Sequence, residues 1–173
     1  MKSGSKADRS ALRQQLLDAG RTLDDIAAEM RRRWRFRARE SYRHAHGWSQ
    51  DEAAARFSEV AARLAPGARS TPMVGTRIGE YERWPVGGRR PSPYVLTVLA
   101  EVYGTDLGRL LDDPDMAAMP DQDRAVLAAL TSRADRPLPR RLRPVPRPVP
   151  AGPAAGPPIP RPVPAGPAAG SWV

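Results

Sequence analysis

A chain of 173 residues with a net charge of +9 and no cysteine excludes disulfide frameworks and thiolate metal centres, and suggests a polyanionic partner. Two histidines, His44 and His46, are too few for a multi-histidine metal site, so no metal or other cofactor is expected. No apolar run approaches the ~18 residues that a membrane span needs, so the expectation is a soluble, cytoplasmic protein without a membrane partner.

The charge is unevenly spread. Residues 1–46 hold 12 basic and 6 acidic side chains, residues 47–111 hold 8 and 7, residues 112–132 are acidic, and the remainder is basic again. Positive charge therefore flanks the middle of the chain rather than filling it. Arginine supplies nearly all of it, and the Ala/Arg/Pro/Gly bias resembles that of a high-GC bacterial genome.

In chain order, Ser10 to Ala19 reads as a short helix with Leu12 and Leu16 on one face and Gly20 as its stop. Thr22 caps a second helix whose apolar side is Leu23, Ile26, Ala27 and Met30. That helix runs into RRRWRFRAR, where two readings stand. Arg32, Arg33, Arg35 and Arg37 are candidates for extra phosphate contacts; alternatively, this is a solvated face whose Trp34 and Phe36 pack inward. A third helix, Ala38 to His46, turns Tyr42 and Ala45 to the core and ends at Gly47.

Ser49-Gln50-Asp51-Glu52 is a capping box, in which Ser49 accepts from the third helical amide and Glu52 reaches back. Behind it Ala54, Phe57, Val60, Ala61 and Leu64 form one stripe, closed by Pro66 and Gly67. The loop APGARSTPMVG leads to a helix over Thr76 to Trp84 with Ile78, Tyr81 and Trp84 inward. Pro85, Gly87 and Gly88 break the chain. Ser92 and Pro93 then start a helix with Val95, Leu96, Leu99 and Val102 on its face, stopped by Gly104. Thr105-Asp106 opens a last short helix with Leu107, Leu110 and Leu111. After the acidic DDPD stretch, Gln122 to Ser132 is a weaker helix candidate. From residue 136 prolines crowd the chain and RPVPAGPAAG occurs at 147–156 and again at 161–170. Such a segment buries no core and reads as a disordered tail, either a spacer or a docking strand for a protein partner.

The phrases YRHAHGWSQDEAAARF, GTRIGEYERW and GGRRPSPYVLTVLAEVYGTDLGRLL, taken together, resemble the Xre/Cro-like helix-turn-helix family of phage and bacterial repressors. The resemblance implies an all-α fold. Residues 1–36 would form an arginine-rich helical extension, 37–112 a five-helix DNA-binding domain, 113–135 an acidic linker with a short helix, and 136–173 the tail.

It also implies roles for individual residues. Gln50 matches the glutamine that touches a DNA phosphate, and Ala54 the small residue that lets the second and third helices cross closely. Thr76, Arg77, Gly79, Glu80 and Arg83 would point outward. Thr76, Arg77 and Glu80 would read base edges, since Arg donates bidentately to guanine and Glu accepts from cytosine. Arg83, Arg89 and Arg90 stand where the family holds the DNA backbone, and Arg69 lies on a loop longer than the family's connection. Glu82 matches a structural glutamate that pairs with an arginine. Partners implied are double-stranded DNA and a second copy of the chain, with nucleoid association when bound.

AGRTLDDIAAEM by itself resembles a second helix-turn-helix element, or serves as a packing layer. No nucleophile elbow, phosphate loop or paired-carboxylate constellation is present, so an enzyme is not expected. The competing class is a non-catalytic adaptor that uses the helical domain and the tail for protein contacts.

Overall fold

A computed structural model describes residues 4–67 and 72–134. Among these residues the chain forms eight α-helices, one 3-10 turn and no strand. The helices are α1 (Lys6–Asp18), α2 (Leu23–Trp34), α3 (Ala38–His46), α4 (Gln50–Leu64), α5 (Gly75–Arg83), α6 (Pro93–Tyr103), α7 (Asp113–Ala118) and α8 (Asp121–Ala134), with the 3-10 turn at Gly108–Leu110 between α6 and α7. The fold is all-α, as expected. The proline-rich tail and Arg69 lie outside the described residues.

Four helices start with the same device. Ser5, Thr22, Ser49 and Asp112 each accept from the amide three residues on, and Asp8, Asp25, Glu52 and Asp115 accept the cap's own amide in return. Hydrogen bonds from the cap residue hold the Asp8, Asp25 and Glu52 carboxyls below their usual range. Gly47 and Gly104 end α3 and α6 in the left-handed conformation that glycine adopts without a Cβ clash.

The interior follows the helical stripes. Ile26, Met30, Ala45, Phe57, Ile78, Leu99 and Tyr103 are buried in one cluster built on α2, α3, α4, α5 and α6, with Leu12 of α1 also in it. Full burial of the aliphatic, methionine and phenylalanine side chains among these stabilises by about 1.5–3 kcal/mol each. The α2 segment is thus a packing layer of the main core, its apolar face against α3. Phe36 is buried and Trp34 packs against the same cluster, so the aromatics of RRRWRFRAR face inward. A smaller cluster joins Trp84, Leu96, Met119 and Leu127 and seats α8.

Several expectations change. Helix α1 begins four residues before Ser10, because Ser5 and Asp8 supply a cap. Leu64 is 49% exposed, off the buried stripe. The helix expected from Thr105 shrinks to the three-residue turn, although its Leu110 is buried. The DDPD stretch folds into α7.

Asp115 of that stretch is fully buried. Its partner is Arg39, only 1% exposed, whose Nη1 and Nη2 lie 2.8 and 2.9 Å from the two Asp115 oxygens. The same guanidinium donates to the carbonyls of Tyr81 (2.9 Å), Trp84 (2.9 Å) and Leu110 (3.0 Å). Arg37 also turns inward, donating to Asp112 (2.5 Å) and Asp115 (2.9 Å). Its expected phosphate contact is therefore corrected: with 18% of its side chain exposed, it serves an internal carboxylate pair.

Removing one member of a buried ion pair leaves the other uncompensated. We expect Asp115→Ala to cost about 3–5 kcal/mol in the urea unfolding of the full chain. A loss below about 1 kcal/mol, within the range of an exposed pair, would show that the pair does not hold the fold.

Candidate nucleic-acid interface

The expected reading helix α5 crosses the first turn of α4 at glycine distance. Gly75 and Gly79, one turn apart on α5, both face α4. A Cβ built on Gly75 would lie 3.0 Å from the Asp51 amide nitrogen, and one on Gly79 would lie 2.7 Å from the Gln50 side-chain nitrogen. Gly79 is therefore buried in the crossing, which corrects its expected outward placement; a side chain there would displace the Gln50 amide from its place beside Glu82. Ala54, 3% exposed, is the small residue on the α4 side.

An ionic clamp fixes the crossing from behind. Glu82 of α5 is buried and accepts from Arg43 Nε at 2.6 Å and Nη2 at 3.0 Å, while Arg43 Nη1 donates to the Trp48 carbonyl at 3.0 Å. Burial works against the Arg43 charge, but the hydrogen bonds and field of Glu82 more than offset it, and the guanidinium holds its proton more tightly than usual. Gln50 joins the clamp, donating to Glu82 at 3.2 Å. One of its two amide hydrogens is thus committed to the interior.

The outward face of α5 carries Thr76, Arg77, Glu80 and Arg83. Thr76 and Arg83 are exposed. Arg77 and Glu80 pair with each other at 2.9 Å, their side chains 37% and 38% exposed. Exposed pairs three residues apart on a helix contribute only about 0.2–0.5 kcal/mol, so either partner is released cheaply to a stronger ligand. Beyond α5, Arg89 is exposed with no carboxylate partner among the described residues, whereas Arg90 reaches Asp123 of α8 at 3.4 Å. α5 thus ends in Arg83 and leads to Arg89, two cations without internal partners among the described residues.

The remaining arginine candidates sit at the end of α2. Arg32 pairs with Glu29, Arg33 lies 5.7 Å from the Trp34 ring, and Arg35 is exposed in a left-handed conformation with φ 57°. No hydrogen bond or ion pair among the described residues links them to α5.

Sequence reasoning missed a second set of cations. Lys6, Arg9 and Arg13 lie on one face of α1 and line a cleft beside Ser49 and Glu52 at the start of α4. Their signal was legible in principle, since Ser5-Lys6-Ala7-Asp8 is a capping box that extends the helix back to Lys6.

His46 stacks on Trp48 at 4.0 Å between ring centres and its Nε2 lies 3.1 Å from the Tyr103 carbonyl. His44 lies over Phe36 at 4.8 Å. No group of three or more His, Asp or Glu side chains positioned to hold a metal ion occurs among the described residues, and no helix there is long and apolar enough to cross a membrane. No protein-family model, curated protein or solved structure matches the chain.

Burial lowers the His46 pKa below its usual value near 6.5, with Arg13 and Arg56 adding to the shift and the Tyr103 carbonyl opposing it. The unfolded chain then takes up the proton more readily than the folded one. Stability is full above about pH 6.5 and falls as pH drops from there towards the folded value. We expect the melting temperature to drop between pH 7.5 and 5.5, and the drop to shrink in His46→Gln. An equal drop in the variant would place the titrating group elsewhere.

Proposed function

We propose that the chain is a sequence-specific DNA-binding transcriptional regulator of the Xre/Cro-like kind. In this reading α3 to α6 and the 3-10 turn are the five-helix module, α4 and α5 are its helix-turn-helix, and α5 enters the major groove. The observation that carries it is the division of α5 into two faces. Gly75, Ile78, Gly79 and Glu82 are locked against α4 and α3, while Thr76, Arg77, Glu80 and Arg83 face out on a helix held rigidly at its first turn.

Arg77 reads guanine, Glu80 accepts from cytosine, and Arg83 and Arg89 hold the backbone. Gln50 contributes its remaining amide hydrogen to a phosphate. Regulation follows from occupancy of the site, without a catalytic step, by a homodimer on inverted half-sites about one helical turn apart.

Selection of bound sequences from a random duplex pool by the full chain tests the reading. One motif should be enriched. Arg77→Ala should lose about 1–3 kcal/mol at one base pair of that motif and relax its specificity there. Arg89→Ala should weaken all sequences alike and lower the salt slope by about 0.9. Retention without a motif would indicate a nonspecific, arginine-driven binder. Absence of retention at any salt would overturn the reading in favour of a protein-interaction adaptor.

A further inference from the structure

The first turn of α4 has a neighbour on each side. On one side stand Gly75 and Gly79 of α5, against Asp51 and Gln50. On the other lies a cleft of about 230 Å³ into which α1 presents Lys6, Arg9 and Arg13, facing Ser49 and Glu52. These cations sit at i, i+3 and i+7, a single helical face, while Leu12 of the same helix is buried in the core.

None of the three pairs with a carboxylate among the described residues, unlike Arg37, Arg39 and Arg43, which all do. Arg9 donates to the Gly4 carbonyl and Arg13 Nε to the Ala45 carbonyl at 2.9 Å, so each uses one of its five donors and is held in place by it. The cleft's carboxylate, Glu52, accepts the Ser49 amide (2.7 Å) and hydroxyl (2.8 Å) through one oxygen, and its single negative charge offsets one of the three cations. Three cations against one carboxylate leave the cleft with excess positive charge, with Arg9 and Arg13 anchored and Lys6 exposed at its edge.

We infer that this cleft binds phosphates of duplex DNA, so that α1 extends the backbone footprint past α4; the inference rests on α5 lying in the major groove. At 1.5 Å per residue, Lys6 to Arg13 covers about 10 Å. That matches about three nucleotides of one strand at 3.4 Å each along the duplex axis. A strand passing α5 and the first turn of α4 runs on to α1, and the contact adds affinity without base preference.

The test is fluorescence anisotropy of a labelled duplex with the full chain over a range of salt. Lys6→Ala/Arg9→Ala should weaken binding to every duplex several-fold and lower the salt slope by about 1–2, with the preferred motif unchanged. Arg21→Ala/Arg31→Ala removes the same charge elsewhere and should change the slope much less. Lys6→Glu alters only an exposed side chain and should weaken binding even where the double variant proves unstable.

A steep slope in the parent that persists in the cleft variants would overturn the inference alone, as would equal losses in both double variants. A parent that binds no duplex would overturn the DNA reading and this inference together. Inorganic phosphate serves as a second probe. If it raises the melting temperature of the parent but not of the cleft variants, while duplex binding is the same in all, the cleft is a free-anion site and the duplex assignment fails.

Discussion

A single buried guanidinium orients the parts of this protein that matter for its surface. Arg39 stands on α3 with all five of its N–H donors engaged, two by Asp115 and three by carbonyls of Tyr81, Trp84 and Leu110. Those carbonyls belong to the last turns of α5, the residue after it, and the 3-10 turn. Helix ends leave carbonyls without intrahelical partners, and here a side chain from another helix supplies the missing donors. The arrangement is directional: a planar fork with five fixed N–H vectors accepts few geometries, so the end of α5 is held against α3 more tightly than apolar packing alone would hold it.

One turn further along α3 the same chemistry recurs. Arg43 takes Glu82 in a two-point contact and Glu82 in turn takes Gln50 of α4. Arg39 and Arg43 are thus two rungs, four residues apart, by which α3 grips α5 at its end and along its inner face. Apolar side chains fill the space between helices, and the arginines set the angles. Because buried charges are costly unless every polar atom is matched, the arrangement tolerates little rotation of α5 about its own axis. The outward residues therefore keep a constant bearing relative to α4.

What could be read in the amino-acid order was local. Caps at Thr22, Ser49 and Ser92, the stops at Gly47 and Gly104, and the inward set Ile78, Tyr81 and Trp84 all follow from rules spanning one helix. What could not be read was the destination of each arginine. Arg32 and Arg39 look alike in a run of cations, yet one is solvated and the other carries the fold, because its carboxylate lies 76 positions away in a stretch that reads as a linker. Gly79 goes astray for a related reason: with no side chain, it adds nothing to an apolar stripe even when it is buried against Gln50 in a helix crossing. At the candidate site the outward positions of Thr76, Arg77 and Glu80 were legible, whereas the mutual pairing of Arg77 and Glu80, the engagement of Gln50 and the cations of α1 needed the third dimension.

The glycine-faced crossing also shapes how such a surface can change over generations. α5 is attached through its glycine-faced backbone and the buried side chains of Ile78, Tyr81 and Glu82, and none of its outward side chains takes part in that attachment. Substitutions at 76, 77, 80 and 83 therefore leave the core and its ion pairs intact, and the cost of exploring new outward chemistry is small. On one nine-residue helix the residues that hold the fold and those that face outward occupy separate positions, so in the proposed reading recognition is free to drift while the attachment stays fixed.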